Sequence, residues 1–201
     1  MGSRPARRMS GKTGNPGRDP RSIRACDLYE TPSEAVHALL KVYALPKNIW
    51  EPCAGRGAIA RVLRNTGHNV YATDLVRYGT SRLVRSGVNF LAQTKRPAGY
   101  NMILTNPPYG WANQFVRHAL DLCPRVCMLL RLAFLEGVTR SDILDNAGLA
   151  QVFIFRNRLP RMHRAGWDGP QATSTICFAW FCWDADHHGP TQLHRITWEK
   201  P

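Results

Sequence analysis

From residue 27 onward, short apolar runs of two kinds alternate along the chain. Ala35, Val36, Leu39, Leu40 and Tyr43 recur at helical spacing behind Thr31-Pro32, which predicts a helix with Thr31 as N-cap and Pro32 in its first position. Residues 48–53 read as a strand, 58–65 as a helix, and 69–75, rich in β-branched and aromatic side chains, as a second strand. A strand over 102–105 stops at Asn106-Pro107-Pro108, because two prolines remove ladder donors and fix an extended turn. Next come a helix over 111–122, a buried strand over 125–130 and a helix over 138–146. Residues 151–155 and 176–183 are two further strands separated by a long loop. Such alternation predicts an α/β fold, a mostly parallel sheet with helices on both faces, and ligands at the carboxyl ends of its strands.

The flanks are different. Residues 1–26 carry Arg4, Arg7, Arg8, Lys12, Arg18, Arg21 and Arg24 among Gly, Pro and Ser, with almost no large apolar side chains. Such a segment buries too little surface to offset its ordering entropy and is expected to be a disordered basic arm. A single domain is expected over 27–183, followed by a short polar tail over 184–201. In all, 27 Lys and Arg stand against 14 Asp and Glu, a net charge of +13 that favours a polyanionic partner such as nucleic acid. No apolar run approaches the length of a membrane span and no secretory signal opens the chain, so a soluble, cytoplasmic protein without a membrane partner is expected. Cys26, Cys53, Cys123, Cys127, Cys177 and Cys182 lack the paired spacing of metal hooks and read as reduced thiols packed as small hydrophobes. His187 and His188 beside Asp184 and Asp186 read as a solvated turn ending at Gly189-Pro190, and no metal is expected.

Candidate chemistry gathers at three strand ends. Glu51-Pro52-Cys53-Ala54-Gly55-Arg56-Gly57 lies where the first strand meets a helix, a place where glycines let a ligand approach the backbone. There is no third glycine at dinucleotide spacing, and the carboxylate of Glu51 suits a cationic ligand better than a pyrophosphate. Asp74 ends the second strand, where a carboxylate can accept both hydroxyls of a ribose. Asn106-Pro107-Pro108-Tyr109 follows the strand over 102–105.

The order Tyr29-x-Thr31-Pro32, Glu51-x3-Gly55-x-Gly57, Asp74, Asn106-Pro107-Pro108-Tyr109 resembles that of the class I S-adenosylmethionine-dependent methyltransferases, over roughly residues 27–183. More narrowly, it is similar to the gamma group of DNA adenine-N6 methyltransferases. The short length and Phe134-Leu135-Glu136-Gly137 followed by Arg140 resemble stand-alone phage and prophage enzymes of that group. The resemblance implies a Rossmann-like sheet of seven strands and S-adenosylmethionine as cofactor. It implies a cofactor site of Tyr29, Thr31, Glu51, Cys53, Gly55, Gly57, Asp74, Asn89, Phe90 and Asn106. Within it Glu51 is expected near the methionine amine, Tyr29 and Thr31 near the amino-acid end, and Asp74 at the ribose. Asn89 stands where many relatives carry an Asp that accepts from the cofactor's adenine amine, and Phe90 is placed to flank that ring. The implied catalytic group is Asn106, Pro107, Pro108 and Tyr109. An exocyclic amine has its lone pair delocalised into the ring. The Asn106 oxygen and the Pro107 carbonyl can accept its two N–H bonds and turn the lone pair toward a methyl donor. Pro108 stiffens the turn and Tyr109 stacks on the base.

The loop between the last two strands carries Arg156, Arg158, Arg161, His163, Arg164 and Trp167, a pattern that suits a phosphate clamp with a stacking aromatic. Arg158, Arg161, Arg164 and Trp167, with Tyr109, are the expected substrate contacts, and a duplex target base has to be flipped to reach them. Arg77, Tyr78, Arg82 and Arg85 form a second basic stretch. The reading is a DNA adenine-N6 methyltransferase of a prokaryotic or phage-infected cell, a monomer or homodimer, with a short or relaxed recognition site. An RNA amino-methyltransferase and a non-catalytic nucleic-acid-binding protein on the same fold are the alternatives.

Overall fold

The computed structural model describes residues 28–78, 82–160, 162 and 175–199. Eight strands form one sheet: β1 (Asn48–Glu51), β2 (Asn69–Asp74), β3 (Arg85–Ser86), β4 (Met102–Thr105), β5 (Arg125–Arg131), β6 (Leu149–Phe155), β7 (Phe178–Asp184) and β8 (Gln192–Ile196). Their order is β3-β2-β1-β4-β5-β7-β6-β8. The first five positions pair in parallel, β7 runs antiparallel to both β5 and β6, and β8 lies parallel to β6.

Four α-helices accompany it among the described residues: α1 (Ser33–Leu40), α2 (Ala58–Asn65), α3 (Ala112–Leu122) and α4 (Ser141–Leu144). Because side chains alternate across a strand, a sheet covered on both faces needs apolar residues at every central position. β7 shows this directly. Phe178, Trp180 and Cys182 join one core with Ala35, Leu39, Ile59 and Leu63 of α1 and α2, while Ala179, Phe181 and Trp183 join the other with Phe115 and Val116 of α3 and Ile143 of α4. The three fully buried tryptophans each find a partner for the indole N–H: Trp50 donates to Thr73 Oγ1 (3.1 Å), Trp180 to the Ala35 carbonyl (2.9 Å) and Trp183 to the Ile143 carbonyl (2.7 Å). Trp180 thus ties β7 to α1. Trp180→Phe, which removes that bond and part of the ring volume, is expected to cost about 1–3 kcal/mol in a urea titration with an unchanged m-value.

Four expectations are corrected. The sheet has eight strands rather than seven, and the stretch expected to be a polar tail contributes the eighth. Gln192-Leu193-His194-Arg195-Ile196 hides its role because an edge strand can stay polar: Leu193 is 63% exposed, and only Ile196 is fully in the core. The helix expected over 138–146 is a 3₁₀ turn, Val138–Arg140, followed by the single turn of α4. The third strand is only Arg85–Ser86, and Phe90–Ala92 beyond it forms a 3₁₀ turn. Helix α1 begins at Ser33 with Pro32 as its N-cap residue and no capping side chain, because the Thr31 hydroxyl is engaged elsewhere.

Cys123, Cys127 and Cys182 are buried free thiols, and burial pushes the Cys127 thiol far up and that of Cys123 to about 11. Cys177 departs from the expected packing and is exposed, at the entry to β7. Cys26 and the basic arm lie outside the described residues. The Asp184–His187 turn is closed by the Asp186 amide on Asp184 Oδ1 and the His187 amide on the Asp184 carbonyl. No helix among the described residues is long and apolar enough to cross a membrane.

Candidate functional site

The strand order reverses between β1 and β4, and in an open α/β sheet a crevice opens outside the carboxyl ends of the strands at that point. Three of the polar residues singled out above stand there: Glu51 ends β1, Asp74 ends β2, and Asn106 follows directly on β4. They line one cleft of about 600 Å³, open mouth included, together with Tyr29, Thr31, Cys53, Gly55, Pro107, Pro108 and Tyr109.

The Gly55 turn and Asp74 are built as a unit. Asp74 Oδ2 accepts from the Gly55 amide at 2.8 Å and Oδ1 from the Val76 amide at 2.9 Å, which locks the carboxylate between two backbone donors. A carboxylate oxygen can accept more than one hydrogen bond. Gly55 has φ +55°, a left-handed conformation that favours glycine, and a Cβ there would press on the movable end of the Leu28 side chain at 2.6 Å. Gly57, at φ +83°, supplies the left-handed N-cap of α2 and does not line the cleft.

Glu51 is 1% exposed, and its Oε2 has no hydrogen-bond partner among the described residues. Burial pushes its pKa well above 4.5, the nearby Asp74 charge adds to this, and the Ala60 amide in the first turn of α2, with Arg64, only partly offsets it. A buried carboxyl with an unused oxygen beside a cleft is suited to a cationic donor. The raised pKa means that the native state binds a proton more tightly than the unfolded chain. The associated stability is complete below about 4.5 and is lost as pH rises toward the folded-state value. Without ligand, the melting temperature of the wild type is therefore expected to fall relative to Glu51→Gln between pH 5 and pH 8. A difference that stays flat across that range counts against an unpaired buried carboxylate.

Asn106 is held by its amide nitrogen. Nδ2 donates to Thr31 Oγ1 at 3.1 Å and to the Tyr29 carbonyl at 3.5 Å, and since that carbonyl can only accept, the nitrogen must face it. Oδ1 is left buried without a partner among the described residues. The Met162 sulfur lies 3.7 Å from Nδ2 and 3.6 Å from the Tyr109 hydroxyl. The Tyr109 ring stands 6.0 Å from Tyr29 and 5.5 Å from Phe178, with the Arg131 guanidinium 5.0 Å from its centre.

Other expected residues fall elsewhere. Asn89 and Phe90 are not in the cleft lining. Phe90 is fully buried against Trp50, Phe115 and His118, because its 3₁₀ turn points it into the α3 side of the sheet. Arg158 follows β6 against the Cys177 sulfur and lines a different cleft with Leu132, Ile154 and Phe178. Arg161, Arg164 and Trp167 lie outside the described residues. Sequence reasoning missed Leu28, Met162 and Arg131. The first two left a faint signal as apolar residues in polar surroundings, and Arg131 as the charge that ends an apolar strand at its carboxyl end.

No known family model and no curated protein sequence matches this chain. Solved structures do. A protein of Pyrococcus horikoshii assigned as an RNA methyltransferase superposes with a TM-score of 0.55 at 12% identity, covering 80% of this chain and 89% of its own. A Vibrio vulnificus protein assigned as a type I restriction-enzyme modification subunit gives 0.57 at 15% identity, over 87% of this chain and 49% of its own. A Listeria monocytogenes protein assigned to the class I S-adenosylmethionine-dependent methyltransferases gives 0.53 at 12% identity, over 84% and 66%. With the strand order and the reversal at β1 and β4, these likenesses show that the chain has the class I S-adenosylmethionine-dependent methyltransferase fold.

Proposed function

We propose that this protein is an S-adenosylmethionine-dependent methyltransferase of exocyclic amines in nucleic acid, acting on adenine N6 in DNA. The observation that carries this reading is Asn106 Oδ1, buried without a partner among the described residues at the end of β4, beside a cleft that also holds Glu51 and Asp74.

The residues present fit the cofactor. Glu51 offers its unused oxygen to the methionine ammonium, and Asp74, already positioned by the Gly55 and Val76 amides, offers acceptors to the ribose. Gly55 lets the turn take the left-handed conformation from which its amide holds Asp74. When bound, S-adenosylmethionine supplies an electrophilic methyl group on a sulfonium. The chain's part is to present the nucleophile. Asn106 Oδ1 and the Pro107 carbonyl accept the two amine hydrogens, which draws the nitrogen out of conjugation and leaves its lone pair free. Thr31 and Tyr29 fix the Asn106 amide so that this acceptor is set before substrate arrives. Tyr109 offers a ring face to the base, and the released proton passes to water, so no strong base is required.

The reading of DNA rests on the motif order, on the +13 charge and on the likeness to a chain assigned as a restriction-modification subunit. The likeness to a chain assigned as an RNA methyltransferase favours RNA as the second reading. Labelled S-adenosylmethionine offered with duplex DNA, single-stranded DNA and RNA, followed by nucleoside mass spectrometry, separates them. N6-methyladenine in DNA supports the proposal and methylated RNA with inert DNA replaces the substrate. Absence of transfer to every nucleic acid overturns it.

A further inference from the structure

A second cleft shares Tyr109 with the first. It holds about 1030 Å³, open mouth included, between the start of α3 and the segment that follows β5, and its lining includes Trp111, Gln114, Arg117, Arg131 and Arg140. Among the described residues, three guanidinium groups and no carboxylate line it. Two of the three are fixed. Arg117 makes a two-point pair with Asp142 at 2.6 and 2.8 Å, and Arg140 is spent on Asn113 Oδ1 and on the carbonyls of Phe134 and Glu136. These bonds set the walls of the cleft. Arg131 differs: it ends β5, is exposed, and lies over the Tyr109 ring. The first turn of α3 carries no acidic residue, so its amides reinforce the positive field.

We infer that this second cleft seats the phosphodiester strand adjoining the target nucleotide, with Arg131 as the charged contact to its phosphate, an inference that rests on the proposed action on nucleic acid. A base lying on Tyr109 is covalently joined to its sugar and phosphates, so the strand must leave the ring within one nucleotide's reach, and Arg131 is the cation already at that ring. A guanidinium suits a phosphate because its fork of donors matches two phosphate oxygens. Trp111 at the cleft gives a neighbouring base a stacking surface.

The test is equilibrium binding of fluorescent duplex DNA, single-stranded DNA and RNA oligonucleotides to the full chain, from 50 to 200 mM salt. Arg131→Met keeps an aliphatic stem over Tyr109 and removes the charge. It is expected to weaken binding about fivefold at 50 mM salt and to lower the salt slope by about one, as loss of a single phosphate contact does. Arg131→Lys retains the charge and is expected to keep the wild-type slope. Gln114→Glu places a negative charge on an exposed position of the same cleft and is expected to weaken binding about threefold with the melting temperature unchanged. Wild-type affinity and slope in both Arg131→Met and Gln114→Glu overturn the assignment while leaving the methyltransferase reading standing. Failure of the wild type to bind any of the three probes overturns the nucleic-acid substrate together with it.

Discussion

Asn106→Ala is expected to lower methyl transfer by about 100- to 1000-fold, the scale on which a single preorganised polar group acts in a transition state. The variant removes a side-chain acceptor at the end of β4 that has no partner among the described residues, and it removes it without opening the core, since Asn106 is only half-buried. The loss should fall on kcat, because the amine is a poor nucleophile until both its hydrogens are held, whereas the base can still lie on Tyr109. Asn106→Asp gives a sharper comparison. It keeps an acceptor but loses the donors that anchor the amide to Thr31 and Tyr29, and it sets a carboxylate against the Tyr29 carbonyl. Partial activity in the Asp variant with almost none in the Ala variant matches an acceptor role. Single-turnover rates equal to wild type in Asn106→Ala would exclude the mechanism given above.

Asp74→Ala is expected to act on both folding and cofactor binding. Its carboxylate is 6% exposed and accepts two backbone amides, so its removal strands the Gly55 and Val76 N–H groups at a cost of about 2–4 kcal/mol in urea unfolding. The Gly55 turn then loses the bond that holds it at φ +55°, and cofactor affinity is expected to fall more than tenfold by calorimetry. Asp74→Asn retains one oxygen acceptor and should recover part of the stability but less of the affinity. Stability and affinity both within twofold of wild type in Asp74→Ala would show that the turn is held by other means.

Much of this arrangement was legible in the sequence, for identifiable physical reasons. The strands β4, β5 and β7 are apolar runs, and β1 and β2 carry shorter ones at Ile49–Trp50 and Val70–Ala72, because both faces of the sheet are covered. The polar residues at their carboxyl ends, Glu51, Asp74 and Asn106, stand out against these runs. Glycine in the Gly55 turn was legible because the chain needs a left-handed φ there. What escaped notice depends on tertiary partners. Strand β8 is polar because only one of its edges is paired, and its ring contact, His194 stacked on Phe153 at 5.1 Å, joins residues far apart in sequence. Phe90 reads equally well as a wall of the cleft or as core, and the turn that sends it toward Phe115 is set by a third strand only two residues long. Met162 beside Asn106 is visible only once the chain has returned from β6 across the reaction turn.

The antiparallel pairing of β6 with β7 separates what the scaffold fixes from what can be exchanged. β6 ends at Phe155 and β7 begins at Phe178, and the two strands lie side by side with Ile154 directly opposite Ala179. A connection whose two ends are already clamped side by side tolerates changes of length well, since doubling a loop costs only about 0.6 kcal/mol in closure entropy. The eight-stranded scaffold can therefore act as a socket. Loops of other lengths and charges can be grafted between Met162 and Phe178, while Glu51, Asp74 and Asn106, carried on strands at the other side of β5, keep their places.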